Sequence, residues 1–393
     1  MDDQGDTEVP ISKPGVATQG GGPHLRFCCL VVIVLSTLRL SSPAEVSAQA
    51  GCDLAQVGGG VDITIDVVTG DLVVAGNGLR LFRSMDGGLS YEHRWLDVEG
   101  SWPSVVFGDG VLFVAAGRWG TPSEVFVMRS VDVGQTFSNP FVAYSSTANR
   151  LVDPEVLVAQ NGDVLLFLTE IVTDNGDPGY FAVRLLRSRD GGDSWLWLSD
   201  VVTGPPDVKI EDPKAIELPG GDLLLAYEYE IEDLGASRIE QVRSRDSGLT
   251  WEPPTVIWDD VSGSDDEPGG YQLVAPGEIW FLASTDEDVV EGYTEAVVKR
   301  KVSDDDGLTW RDKLTLISVP DQIVFGSSMG PSGHLALATV RYYTTTPRTL
   351  AVYHVDPEVP GAWACAPLVF VDGWDGGTGD RWSVPLATNS IHK

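Results

Sequence analysis

The chain has 393 residues, of which 58 are acidic and 26 basic, for a formal charge of −32. That balance argues against nucleic acid and anionic membrane as partners, and a solvated acidic surface accounts for it without naming a ligand. With 44 Gly, 24 Pro and no sustained helical periodicity, the chain reads as all-β.

Residues 1–50 read as a leader. Arg26 precedes an apolar run, Phe27–Leu35, and Ala48-Gln49-Ala50 has the small residues of a cleavage site, so export to an extracellular or periplasmic location is expected. Cleavage after Ala50 would remove Cys28 and Cys29 and leave no membrane segment. Cys52 and Cys365 would remain; whether they pair is left open, but a bond there would staple the first part of the fold to the last.

Residues 51–393 are expected to form one domain, because a short motif recurs along them. Its copies start at Ser84, Ser130, Ser188, Ser244 and Ser303 and follow the form S-x-D-x-G-x-[ST]-[WFY]. Their acids, Asp86, Asp132, Asp190, Asp246 and Asp305, lie 46 to 59 positions apart, about the length of a four-stranded sheet. Each copy suits a hairpin turn: the carboxylate takes backbone N–H bonds, Gly supplies positive φ, and the hydroxyl closes the loop. An Arg or Lys precedes every copy (Arg83, Arg129, Arg187, Arg243, Lys301), which marks it as part of the repeating unit.

A second pattern, a Gly turn followed by an apolar strand, begins at Gly70, Gly110, Gly162, Gly221, Gly277 and Gly333. Six of these against five motif copies predict a six-bladed β-propeller with four-stranded antiparallel blades near 58–100, 101–148, 149–204, 205–259, 260–318 and 319–372, then a tail. In the last blade Asp356-Pro-Glu-Val-Pro-Gly361-Ala-Trp363 stands in for the motif. Continuous apolar strands are expected where sheets are covered on both faces.

The motif turns lie on one face, so the far ends of the second strands open on the other. Eight residues beyond each Gly stand Gly78, Arg118, Glu170, Tyr229, Thr285 and Arg341, with Glu228, Tyr342 and Tyr343 beside them. Asp153-Pro154-Glu155 and Glu211-Asp212-Pro213 enter the same mouth from the inner strands. Asp153 with Glu170, and Asp212 with Glu228, therefore offer the acid and base of glycoside hydrolysis. Capping of a turn by Asp-Pro and pairing of a rim Glu with a nearby Arg are the structural alternatives. Arg118 and Arg341 could grip a substrate carboxylate, with Tyr229 among the substrate-binding groups. The acidic tail Asp372–Asp380 does not match a calcium loop, no zinc spacing appears, and no cofactor or metal is assigned.

The motif resembles the Asp box of the sialidase (neuraminidase) superfamily. The resemblance implies a six-bladed propeller, an arginine triad, a Tyr–Glu nucleophile and an Asp acid/base. Tyr342, beside Arg341, would be the tyrosine, supported by Glu170 or Glu228. Where the family carries Arg-Ile-Pro on the first inner strand, this chain has Val61-Asp62-Ile63-Thr64-Ile65-Asp66. The reading is a secreted glycan-binding propeller whose mouth carboxylates hydrolyse glycosidic bonds. The alternative is a non-catalytic propeller for adhesion, protein binding or assembly.

Overall fold

The computed structural model describes residues 53–56, 59–174, 177–231, 236–259, 266–285, 297–317, 322–331, 333, 335–341, 349–355, 363–364 and 369–370. Among them every regular element is a strand, and the strands form six antiparallel sheets in chain order. The fold is a six-bladed β-propeller. Each blade runs from an inner strand outward: the inner strands are Val61–Ile65, Ser101–Gly108, Arg150–Val158, Val208–Glu217, Asp266–Ala275 and Gln322–Met329.

The second strands explain why the apolar runs are continuous. Along a strand, successive side chains point to opposite faces. In blade three Leu165 and Phe167 pack toward blade four, while Val164, Leu166 and Leu168 pack toward blade two. In blade four Leu223, Leu225 and Tyr227 face blade three, and Leu224 and Ala226 face blade five. Six such cores result, one in each join between neighbouring blades, and the core shared by blades six and one closes the ring.

The six Gly turns all adopt positive φ, between 75° and 86°. Only Gly reaches that region without steric cost, so the second pattern in the sequence is a set of obligatory hairpins. The five motif turns share one hydrogen-bond scheme. In the first, Ser84 donates to Asp86 Oδ1 (2.7 Å), the Gly88 N–H donates to Ser84 Oγ (2.7 Å), and Ser90 donates to Asp86 Oδ2 (2.5 Å). The acids are thus absorbed by their own turns. Arg83 and Arg129 donate to Val133 and Gly191, and Arg243 to Asp306, so these basic residues tie each turn to the next blade's turn.

Closure goes further than the sequence reading, which began the first blade at residue 58. Asp53–Gln56 pairs antiparallel with Thr349–Val355 and supplies the outer strand of blade six. Val369–Phe370 adds in parallel to the outer edge of blade one, beside Ser90 and Tyr91. The first and last described strands therefore lie on neighbouring blades. Cys52, Cys365 and the stretch 356–362 lie outside the described residues.

Candidate functional site

Five of the six inner strands carry a β-bulge where they enter the mouth, and only Val61–Ile65 pairs without a break. The Asp-Pro pairs sit at two of these bulges. They lie within strands that start earlier, at Arg150 and Val208, instead of capping a strand entrance. Asp153 (φ 47°) and Asp212 (φ 50°) take the left-handed conformation, which Asp tolerates better than most residues. Asp153 accepts a hydrogen bond from the backbone N–H of Asp212 across the join between blades three and four.

Burial raises the Asp153 carboxyl well above its ordinary range, and the charges of Asp212 and Glu211 add to the effect. Glu211 is itself pushed up to about 7, by burial and then by Asp212. Asp212, Glu228 and Glu267 each bring one carboxylate oxygen to within 4.8 Å of the other two. Three oxygens fall short of the six to eight that calcium takes, and Lys214, two residues from Asp212, supplies a positive charge to this layer. Such crowding of like charge adds to the raising of Asp153 and Glu211, for both of which Asp212 is a named neighbour.

Glu170 and Glu228 part company here. Glu170 follows Val164, Leu166 and Leu168 on the face toward blade two. It is 3 % exposed and receives bonds from Arg184 Nε (2.8 Å), Asn149 Nδ2 (2.7 Å) and the Tyr144 hydroxyl (3.3 Å). Glu228 follows Leu224 and Ala226 on the face toward blade five, where it meets Glu267. Asp212 and Glu228 come together as expected, whereas Glu170 is held in an ion pair with Arg184 of its own blade, on the face toward blade two.

The substrate-binding candidates have other partners too. Arg118 donates to Glu124 (2.7 Å) and lies over the Phe126 ring (4.9 Å), both in its own blade. It lines a cavity of about 570 Å3 between blades one and two, with Asp97, Glu99 and Trp119. Tyr229 faces blade three and carries the Arg238 guanidinium on its ring, 4.1 Å from the centroid. The backbone of Arg341 pairs with Gln322 and Thr349 at the end of its strand, but its side chain, like Tyr342 and Tyr343, lies outside the described residues.

One layer further along the inner strands is a polar group that the sequence reading passed over. Asp62 of blade one accepts from the Val105 N–H of blade two (2.8 Å). Ser104 of blade two donates to Glu155 Oε2 of blade three (3.3 Å), and Glu155 lies 3.7 Å from Lys214 Nζ of blade four. Glu155 is raised to about 7, by burial first, with Lys214 opposing and Asp62 reinforcing the shift. The signal in the sequence was the shared place of these residues: Asp62, Ser104 and Lys214 all stand opposite an Ala of the second strand (Ala75, Ala115, Ala226).

Solved structures of similar shape come from several sources. A Dyadobacter fermentans protein of unknown function superposes with a TM-score of 0.60 at 13 % identity, over 78 % of this chain and 98 % of that one. A Trypanosoma rangeli sialidase matches at 0.56 and 13 %, over 78 % of this chain and 56 % of its own. The Hadza microbial sialidase Hz136 matches at 0.50 and 15 %, over 74 % of this chain and 64 % of its own. The chain has a sialidase-like propeller fold. At such identities the likeness speaks for the fold alone. No family model and no curated protein sequence matches the chain.

Proposed function

We propose that the protein is a glycoside hydrolase acting through the carboxylates of its mouth, with Asp153 as the acid. What carries the reading is the position of Asp153: an inner-strand bulge places it against Asp212 of the next blade, and burial, then the charges of Asp212 and Glu211, favour its protonated form. A carboxyl whose protonated form is favoured above the ordinary range is what protonation of a glycosidic oxygen requires. The ionised partner comes from Asp212 and Glu228, whose oxygens approach within 4.8 Å.

The charges also bear on the substrate. Acid residues dominate the described mouth, Arg118 is engaged by Glu124, and the first inner strand bears Asp62, so a neutral or cationic sugar is favoured over one bearing a carboxylate. Export by the leader at residues 1–50 would bring the propeller to extracellular glycans.

The test is hydrolysis of a panel of aryl glycosides and polysaccharides by the wild type, Asp153→Asn and Glu228→Gln. Asn tolerates the left-handed backbone at position 153, so folding is expected to survive. The wild type should cleave at least one substrate and each variant should lose about 100-fold or more of that rate. No cleavage of any substrate by the wild type, alongside measurable glycan or protein binding, would favour the non-catalytic propeller.

A further inference from the structure

Asp62, Ser104, Glu155 and Lys214 occupy matching positions on the inner strands of blades one to four, and Gly326 completes the series in blade six opposite Ala338. The Gly is needed for room. A Cβ at Gly326 would lie 2.2 Å from Asp62 Oδ1.

The contacts run in one direction around the axis. The Val156 N–H donates to Ser104 (3.0 Å), Ser104 donates to Glu155, and the Ala215 N–H donates to Glu155 Oε1 (3.4 Å). Lys214 ends the run. Glu155 and Lys214 are each only 14 % exposed, so their attraction is little screened by water. Burial alone would favour the neutral amine, but Glu155 and then Asp62, Asp212 and Asp153 hold the ammonium in its charged form.

We propose that Lys214 is the positioning residue of the mouth, a single ammonium that serves as common counter-charge to four inner-strand carboxylates of blades one, three and four. Its nearest anions, Glu155 and Asp62, form the lower layer. The upper layer, Asp153 and Asp212, receives less of its charge and lies beside Glu211, the neighbour of Asp212 on the blade-four strand. Glu228 and Glu267 face the upper layer through Asp212, and Lys209 and Arg150 bear on Glu211. A lysine in this place thus offsets part of the cost of burying carboxylates in both layers. Its catalytic consequence rests on the hydrolase reading, while its electrostatic role does not.

Two measurements keep these apart. The first is the urea midpoint of the whole protein between pH 4 and 9, for wild type, Lys214→Met, Lys214→Arg and Glu155→Gln. Loss of the ammonium raises the surviving carboxyls, so the decline of stability with rising pH should move upward by about one pH unit in Lys214→Met and return in Lys214→Arg. Glu155→Gln frees the ammonium for the other acids and should move the decline downward, which serves if Lys214→Met does not fold. A loss of stability that is uniform across pH, or unchanged profiles in both variants, overturns the proposal. The second measurement is the pH–rate profile on any substrate cleaved, whose alkaline limb should move with the stability profile. A stability shift without hydrolysis in any form sinks the hydrolase reading and leaves the role of Lys214 standing. Hydrolysis with unmoved profiles does the reverse.

Discussion

Glu170 and Arg184 lie 2.8 Å apart in the join between blades two and three, and neither is more than 8 % exposed. The pair belongs to the packing between blades: the Arg184 guanidinium also covers the Trp197 ring at 5.3 Å, and Trp197 meets Tyr144 edge-on. Glu170→Gln is therefore expected to cost about 2 kcal/mol of folding stability, less than the loss of an isolated buried pair because Arg184 keeps Asp200 at 3.0 Å. Urea denaturation reads this loss. If hydrolysis is found, its rate per folded molecule should stay near that of the wild type, and a 100-fold fall would put Glu170 back in the chemistry.

Stability should peak on the acid side of neutrality. Glu155 and Glu211 are raised from an ordinary 4.5 to about 7, so the folded state binds more protons than the unfolded chain in that window. Their contribution is fully present below pH 4.5 and is lost as pH rises through about 7. By linkage a shift of this size is worth about 3 kcal/mol for each group, so the decline should reach several kcal/mol. The motif acids act in the opposite sense. Hydroxyl bonds from Ser194 and Ser188 hold Asp190 down to about 2, and bonds from Thr136 and Ser130 outweigh slight burial to do the same for Asp132. What they contribute is present above pH 3.8 and lost as pH falls toward 2. Unfolding midpoints across pH 2–9 should trace a maximum near pH 4–5, and a plateau extending through pH 8 would contradict the raised carboxyls.

The repeat made the blades legible because its chemistry is local. A Gly with positive φ or an Asp bonded four residues ahead is visible within eight letters. The site was harder to read for two physical reasons. Counting eight residues from each Gly put Glu170 and Glu228 in one group, yet they differ by one position in the count, and one position along a strand reverses the face. Glu170 consequently points into the join with blade two and Glu228 into the join with blade five. The second reason is that the inner ring is assembled one residue per blade. Asp62 and Lys214 share a polar layer across more than 150 positions of sequence, and nothing around either residue announces the other. The closing strand Asp53–Gln56 was missed because four residues of mixed character carry no period.

Gly248 tests the structural side of the motif. Its φ is +86°, and a Cβ there would lie 2.5 Å from Leu185 Cδ2 of the neighbouring blade. Gly248→Ala combines left-handed strain with an overpacked interblade contact, so a loss of about 2–3 kcal/mol is expected. Gly162→Ala has positive φ (+83°) but no atom within 4 Å of the added methyl. It should lose only the backbone part, about 1 kcal/mol. Equal losses in the two variants would show that the motif glycine is needed for its turn and not for the approach of blades.

Removal of the closing strand tests the ring itself. A chain shortened to begin at Gly59 lacks the strand that pairs with Thr349, Leu350 and Ala351, and it leaves that part of the blade-six edge open while His354 and Val355 stay paired with Trp363–Ala364. That edge is apolar: Leu350, Ala351, Val352 and Tyr353 are all buried, and they pack on blades one and five. An open strand of this kind pairs with other chains, so the shortened protein should unfold at lower urea and associate as its concentration rises. Light scattering and the urea midpoint, compared with a chain that begins at Gly51, measure the two effects. If the shortened chain stays monomeric with an unchanged midpoint, closure by Asp53–Gln56 contributes nothing to the ring, and the core between blades six and one alone holds it shut.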